Sequence, residues 1–317
     1  MNIIDVTLRD GGHAVNFDWP IEFAKEYYKL MSNTPEVQFV ELGYWKQSEK
    51  SKKPFYNLDF KTVSDIVGDN VEKKDVSIMI DYHYCSHDTN DYPTIDQNII
   101  GMIRLCVRKE DMKDGLEFGK ELKLATGLNV SLNIFNASNY TMGELNDIAN
   151  KVVNYPFDYV YFADTHGTME LPRDFYKFDN AMTVLKDSGK KMGMHLHDHS
   201  GKAIWNYRHL EELGFESSDT SIRGMGKGSG NLKLEFIVDG ESLVNVAELI
   251  RKHEKLLTIT PIPYELITSK YSITDNYAKE AKVLNMTISD FDVFCKSIKG
   301  LDRDSYNKEL LKLHNNG

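Results

Sequence analysis

Eight short apolar runs recur along the 317-residue chain, and most are followed by an amphipathic stretch. The runs cover residues 2–6, 37–42, 76–80, 100–106, 128–134, 159–163, 192–197 and 219–222. Between them, apolar residues recur at helical spacing over 20–31, 110–126, 142–153, 173–188, 201–213 and 234–253. Gly127 and Gly214 stand where a helix can end in a left-handed residue. Strands alternating with helices demand a parallel sheet, and eight units favour closure into a (β/α)8 TIM barrel. The third unit is the weakest, because 82–97 is polar and loop-like. A doubly wound open sheet would alternate similarly, but it usually carries a glycine-rich phosphate turn after strand one. Here Leu8-Arg9-Asp10-Gly11-Gly12-His13 occupies that place.

After Thr258 the pattern changes. Ile259-Thr260-Pro261-Ile262-Pro263-Tyr264 breaks the chain and helical segments follow. The expected organisation is a catalytic barrel over 1–260 and a helical extension over 261–317. The extension would pack on the barrel mouth or mediate a homodimer.

Charge and cysteine content narrow the partners. Forty-eight acidic residues against 38 basic ones give a net charge of −10, which argues against nucleic acid. The one lysine cluster, 48–53, reads as a solvated loop. Three scattered cysteines form neither a disulfide framework nor a zinc-finger pattern, and Cys106 reads as a small core hydrophobe. No apolar stretch approaches the roughly 18 residues that a membrane span needs. The first residues run straight into a strand without a signal sequence, so a cytoplasmic protein is expected.

Chemistry concentrates at the strand ends, where barrel enzymes build their sites. Arg9, Asp10 and His13 follow strand one, Glu41 lies in strand two, and Asp81 and His83 follow strand three. Asn133 and Asn136 belong to strand five, and Asp164, Thr165 and His166 to strand six. His195, His197 and Asp198 end strand seven, and the loop 224–231 follows strand eight. Residues i and i+2 of a strand share a face, so His195 and His197 can aim at one ion together with Asp10. One carboxylate and two imidazoles, without a thiolate, suit Mn²⁺ first, with Mg²⁺, Co²⁺ or Zn²⁺ as alternatives. Such an ion would polarise a carbonyl, Arg9 would add fixed positive charge, and His13 would move a proton. That combination suggests carbon–carbon bond chemistry through an enolate. The loop 224–231 offers a possible phosphate cradle, although it matches neither a P-loop nor a dinucleotide fingerprint. His199 and His209 are expected at the solvent or the helix–sheet interface.

Several segments together resemble the metal-dependent aldolase and lyase superfamily that includes hydroxymethylglutaryl-CoA lyases. They are 7–14, Glu41-Leu42-Gly43, Asp164-Thr165-His166-Gly167, 194–203 and 224–235. The resemblance implies Asp10, His195 and His197 as metal ligands, with Asn231 completing the shell as in some members. It implies Arg9 as the residue stabilising an enolate, and Thr165 and His195 as substrate contacts. Leu8-Arg9-Asp10-Gly11-Gly12-His13-Ala14 is similar to the form found in 4-hydroxy-2-oxo acid aldolases, where the histidine is the base. Lyases of the superfamily carry a cysteine in the strand-eight loop, and 224–230 contains none. Carboxyltransferase relatives need a lysine at the end of strand four or five, which 130–134 does not supply. Isopropylmalate-type synthases usually continue the first motif with Glu-Gln, where this chain has Gly12-His13.

The resemblance therefore implies an aldolase that joins or releases pyruvate and an aldehyde. A Claisen-type acyl-CoA condensing enzyme or lyase is the alternative, and a non-catalytic metal-binding barrel a further one. Degradative aldolases of this type carry a longer C-terminal domain that docks an acetaldehyde dehydrogenase. The short extension here is more similar to aldolase-like proteins of bacterial surface-sugar pathways, so no partner dehydrogenase is expected. Aldolases often take a further tyrosine from this region, which makes Tyr264 the first candidate, ahead of Tyr271 and Tyr277.

Overall fold

The computed structural model describes residues 1–46, 52–68, 75–259, 263–303 and 306–315. Eight parallel strands close into a barrel in sequence order: β1 (Asn2–Asp5), β2 (Val37–Tyr44), β3 (Asp75–Asp81), β4 (Ile100–Val107), β5 (Asn129–Ile134), β6 (Tyr159–Asp164), β7 (Lys191–Leu196) and β8 (Ser217–Thr220). The last strand returns to the first through Asn2–Ser217 to Asp5–Thr220 pairing. Around the barrel run α1 (Ile21–Ser32), α2 (Phe60–Val67), α3 (Met112–Thr126), α4 (Met142–Val152), α5 (Asp179–Asp187), α6 (Ala203–Leu210) and α7 (Gly240–Lys252).

Local chemistry accounts for the helix ends. Thr141 and Glu144 form a reciprocal capping box at the start of α4. Helix α3 stops at Gly127, whose φ of +69° suits a residue without a Cβ. The expected helix at 234–253 divides into a 3₁₀ turn, Leu234–Phe236, and α7.

Two departures from expectation have physical causes. The third unit has no α-helix among the described residues; two 3₁₀ turns, Thr89–Asp91 and Ile95–Gln97, join β3 to β4. Strand eight lies two residues earlier than the apolar reading of 219–222 placed it. All four residues of β8 are polar yet buried: Ser217 and Asp219 face the barrel interior, where Tyr161 donates to Ser217 Oγ at 2.7 Å, while Ser218 and Thr220, on the other face, donate to Met194 O and Asp5 Oδ2.

The barrel interior is layered. Ile4, Val6, Phe39, Met102, Tyr159 and Tyr161 form an apolar plug. Two residues further along their strands, Glu41 and Arg104 are also fully buried and form a charged layer with Asp219. The site lies above that layer, at the C-terminal mouth.

Beyond the barrel come α8 (Pro263–Lys270), α9 (Asn276–Val283), α10 (Ile288–Ser297) and α11 (Lys308–Asn315). They bury a cluster of their own around Tyr277, Phe291, Phe294 and Leu311. Ser269 and Asp275 then meet the barrel at His199 and the glycine-rich loop. Residues 260–262, where the barrel was expected to give way to the extension, lie outside the described residues, as do 48–51 of the lysine cluster.

Candidate metal centre and active site

The turn after β1 begins Thr7-Leu8-Arg9-Asp10, and it sends two buried, opposite charges into the barrel mouth. Arg9 is held at both sides: Nη1 donates to Asp10 Oδ1 at 2.6 Å and Nε to Glu41 Oε2 at 2.5 Å. Its Nη2 makes no hydrogen bond among the described residues. Burial alone would raise the Asp10 carboxyl, but the neighbouring charge, the Arg9 guanidinium first, outweighs it. It holds that carboxyl well below the usual carboxylate range, so the group is ionised.

Across the mouth, His195 and the following His197 are both buried, with their Nε2 atoms 3.1 Å apart. His195 Nδ1 lies 2.8 Å from Asp219 Oδ2, and Arg104 donates to the same carboxylate at 2.7 and 3.0 Å. With Nδ1–H donated to Asp219, His195 Nε2 presents its lone pair to the mouth. Burial and the neighbouring His195 push the His197 pKa well below the ordinary histidine value, so this ring is neutral. Ligand atoms of Asp10, His195 and His197 all lie within 4.8 Å of one another.

The fourth sequence candidate stands beside them. Asn231 Nδ2 donates to Asp10 Oδ2 at 2.7 Å, which fixes the amide and leaves its buried Oδ1 without a partner. An ionised carboxylate, two imidazole lone pairs and an orphaned amide oxygen form a donor set that fits a divalent cation. Gly226 makes the arrangement sterically possible. A Cβ there would stand 2.6 Å from both Asn231 Nδ2 and Asp10 Oδ2.

Arg9, Asp10, His195 and His197 line one cleft of about 260 Å³, whose lining does not include Asn231. His13 and Thr165 line it too. His13 packs edge-on against Phe17 and Tyr44, and burial pushes its pKa down to about 3, so it is neutral at ordinary pH. Thr165 Oγ1 accepts the Asn136 N–H at 3.0 Å, leaving its own proton for another acceptor.

Other sequence candidates take different places. Glu41 lies beneath Arg9 as its ion partner. Asp81 and Asn133 line the cleft, and Asp81 holds Arg108 through two bonds of 2.7 and 2.8 Å. Asp164 accepts the Thr168 and Met169 N–H groups and shapes its own turn, while Asp198 accepts the Ala203 N–H at the start of α6. Neither they nor His83 and His166 line the cleft. Tyr264 does not line it either: its hydroxyl donates to Met286 O, within the C-terminal cluster. The tyrosines lining the cleft are Tyr44, Tyr56 and Tyr84, and the extension contributes Asn276 and Lys279 instead.

Cys106 is no pure core residue, since it also lines the cleft, with its thiol pushed up to about 12 by burial. His199 is buried rather than facing solvent, 2.6 Å from Ser269 Oγ. Sequence reasoning missed Arg104 and Asp219 as parts of the site. The available signal was a lone arginine in the apolar run 100–106, which needs a buried counter-charge.

Among described residues, no helix is long and apolar enough to cross a membrane. Residues 97–251 match the HMGL-like family model. The chain is 25% identical to a 2-isopropylmalate synthase of Methanocaldococcus jannaschii, over 94% of this chain and 67% of that one. It is 24% identical to a 4-hydroxy-2-oxovalerate aldolase of Geobacillus genomosp. 3, over 75% of this chain and 69% of the relative. Among solved structures, the N-terminal domain of a candidate aldolase from Bacteroides vulgatus superposes with a TM-score of 0.67 at 20% identity. That match covers 91% of this chain and 98% of the other, and at such identity it speaks for the fold alone. Fold, first-strand motif and relatives agree with that family model: the stretch 97–251 is HMGL-like, and the chain is similar over most of its length to an aldolase and a synthase of this kind.

Proposed function

We propose that the chain is a metal-dependent aldolase that cleaves or forms a 4-hydroxy-2-oxo acid, with pyruvate as one partner and an aldehyde as the other. The observation that carries this reading is the meeting of Arg9, Asp10 and His13 with His195 and His197 in one cleft. Asp10, His195, His197 and Asn231 would hold a divalent ion, Mn²⁺ first and Mg²⁺, Co²⁺ or Zn²⁺ otherwise, which would polarise the 2-oxo carbonyl.

The protein's own groups would do the rest. Neutral His13 takes the proton of the 4-hydroxyl, the bond between the third and fourth carbons breaks, and its electron pair passes into the pyruvate enolate. Arg9, fixed by Asp10 and Glu41, would offer its remaining donor, Nη2, to the charge that develops on the enolate oxygen. Thr165 offers its hydroxyl proton to the substrate carboxylate. In the synthetic direction His13 returns the proton to the new alkoxide.

Proton NMR of pyruvate methyl exchange in D₂O tests this without knowledge of the aldehyde. Exchange that depends on metal and is lost in Arg9→Ala is expected. Metal-loaded protein without exchange would turn the assignment toward acyl-CoA substrates. The long match to an isopropylmalate synthase favours that second reading.

We further propose a barrel over 1–260, an extension over 261–317, assembly as a homodimer, a cytoplasmic location, and no nucleic-acid or dehydrogenase partner.

A further inference from the structure

A second chamber, also about 260 Å³, lies behind the glycine-rich loop after β8. It shares His13, Lys227 and Lys279 with the metal cleft, so the two spaces meet at the proposed base. Its other walls include Ser229, Glu265 and Lys282.

The charges in this chamber do not balance. Glu265 is paired with Lys282 through Oε1 at 2.5 Å, and its buried Oε2 has no partner. Neither the Lys227 nor the Lys279 ammonium takes part in a hydrogen bond or ion pair among the described residues. Lys227 Nζ stands 5.9 Å from the Phe135 ring centroid, an aromatic contact that leaves its donors free. The two lysines act on each other and on His13, and burial and Lys227 together lower the pKa of Lys279. Ser229 Oγ is buried in the same wall without a partner. The Asp275 and Glu265 carboxylates act on Lys279 from nearby without pairing with it directly. In a chain of net charge −10, two ammonium groups without a direct ion partner beside an orphaned hydroxyl favour an anion.

We infer that this chamber receives a second anionic group, a phosphate or a carboxylate, carried by the aldehyde end of the substrate and held between Lys227 and Lys279. Assigning the group to the aldehyde end rests on the aldolase reading above. The 2-oxo acid end lies at Asp10, His195 and His197, the reacting carbons pass His13, and the far end reaches the lysines. Because Lys279 comes from α9, the extension sets the acceptor specificity of the barrel's chemistry.

Calorimetric titration of metal-loaded protein, saturated with pyruvate, reads the chamber without turnover. The probes are glycerol 3-phosphate, glutarate and uncharged glycerol. One of the two anions should bind while glycerol does not, and its identity separates phosphate from carboxylate. Lys279→Met and Lys227→Met should each weaken that anion about tenfold or more, the loss expected for one charge-assisted partner. No preference for either anion over glycerol, or unaltered binding in both variants, would overturn the inference. Pyruvate methyl exchange in the same samples reports separately on the aldolase reading. Exchange without anion binding defeats only the chamber, and anion binding without exchange defeats only the aldolase.

Discussion

Arg104 donates to both carboxylate oxygens of Asp219, at 3.0 and 2.7 Å, and neither side chain has any solvent exposure. The oxygen bonded at 2.7 Å is the same one that faces His195 Nδ1. A charge at the centre of the barrel thereby sets the ring orientation of a candidate metal ligand at its mouth. Glu41 takes the other side of Arg104 at 3.1 Å and also holds Arg9, so one buried network supports both halves of the site.

Asp219→Asn should therefore act on the metal rather than on the substrate. The neutral amide no longer favours Nδ1–H on His195, and loss of such a support typically costs about 10–100-fold in metal affinity. Titration of chelator-treated protein with Mn²⁺ checks this. An unchanged affinity would show that Asp219 serves only the barrel interior.

Removing ligands should be more severe than removing their supports. Asp10→Asn and His195→Ala should each abolish stoichiometric metal in purified protein, read by elemental analysis, while circular dichroism stays that of the folded barrel. Retention of one metal per chain in both variants would refute the ligand assignment.

His13 should separate from that group. His13→Ala should keep the metal and lower turnover by about 10²–10⁴-fold, the usual contribution of a general base. Turnover close to the parent's would move the base elsewhere in the cleft, where Tyr44 is the nearest alternative by its contact with His13.

Much of this was legible in the sequence, for reasons that lie in the residues. The strands were readable because most bury their residues on both faces, which produces near-continuous apolar runs such as 159–163. The Asp10, His195 and His197 cluster was readable because a strand fixes which alternate residues share a face. Strand β8 was misplaced because Ser217, Ser218, Asp219 and Thr220 are buried without being apolar. Tyr264 was misjudged because nothing local in a sequence reveals which turn of an added helix overhangs a barrel. Asn276 and Lys279, one helical turn apart on α9, hold that place.

Acid should destabilise the protein partly through His13. Burial lowers its folded pKa to about 3, whereas the unfolded chain carries an ordinary histidine near 6.5. Between those values the unfolded state binds more protons than the folded state, so stability rises with pH across that window and falls as pH drops through it. Urea midpoints at pH 7 and pH 5 should differ more for the parent protein than for His13→Gln. Equal differences would mean that His13 titrates normally in the fold.

Gly226 gives the most selective structural test. Its backbone passes so close to the site that a new Cβ would meet Asn231 Nδ2 and Asp10 Oδ2 at 2.6 Å. Those atoms form the 2.7 Å bond that orients the Asn231 amide, so Gly226→Ala must push the two ligands apart or shift the loop. Either movement misplaces donor atoms whose spacing a metal ion reads closely. The expected result is weakened metal binding and lost pyruvate exchange in a protein that still melts cooperatively. Gly143→Ala provides the control: this glycine lies in α4, and its added Cβ would meet nothing within 4 Å. That change should leave activity intact and stabilise the fold by up to about 1 kcal/mol, since alanine orders more readily in a helix. Equal metal affinity in the two variants would show that the glycine loop tolerates displacement, and that Asn231 is not a ligand.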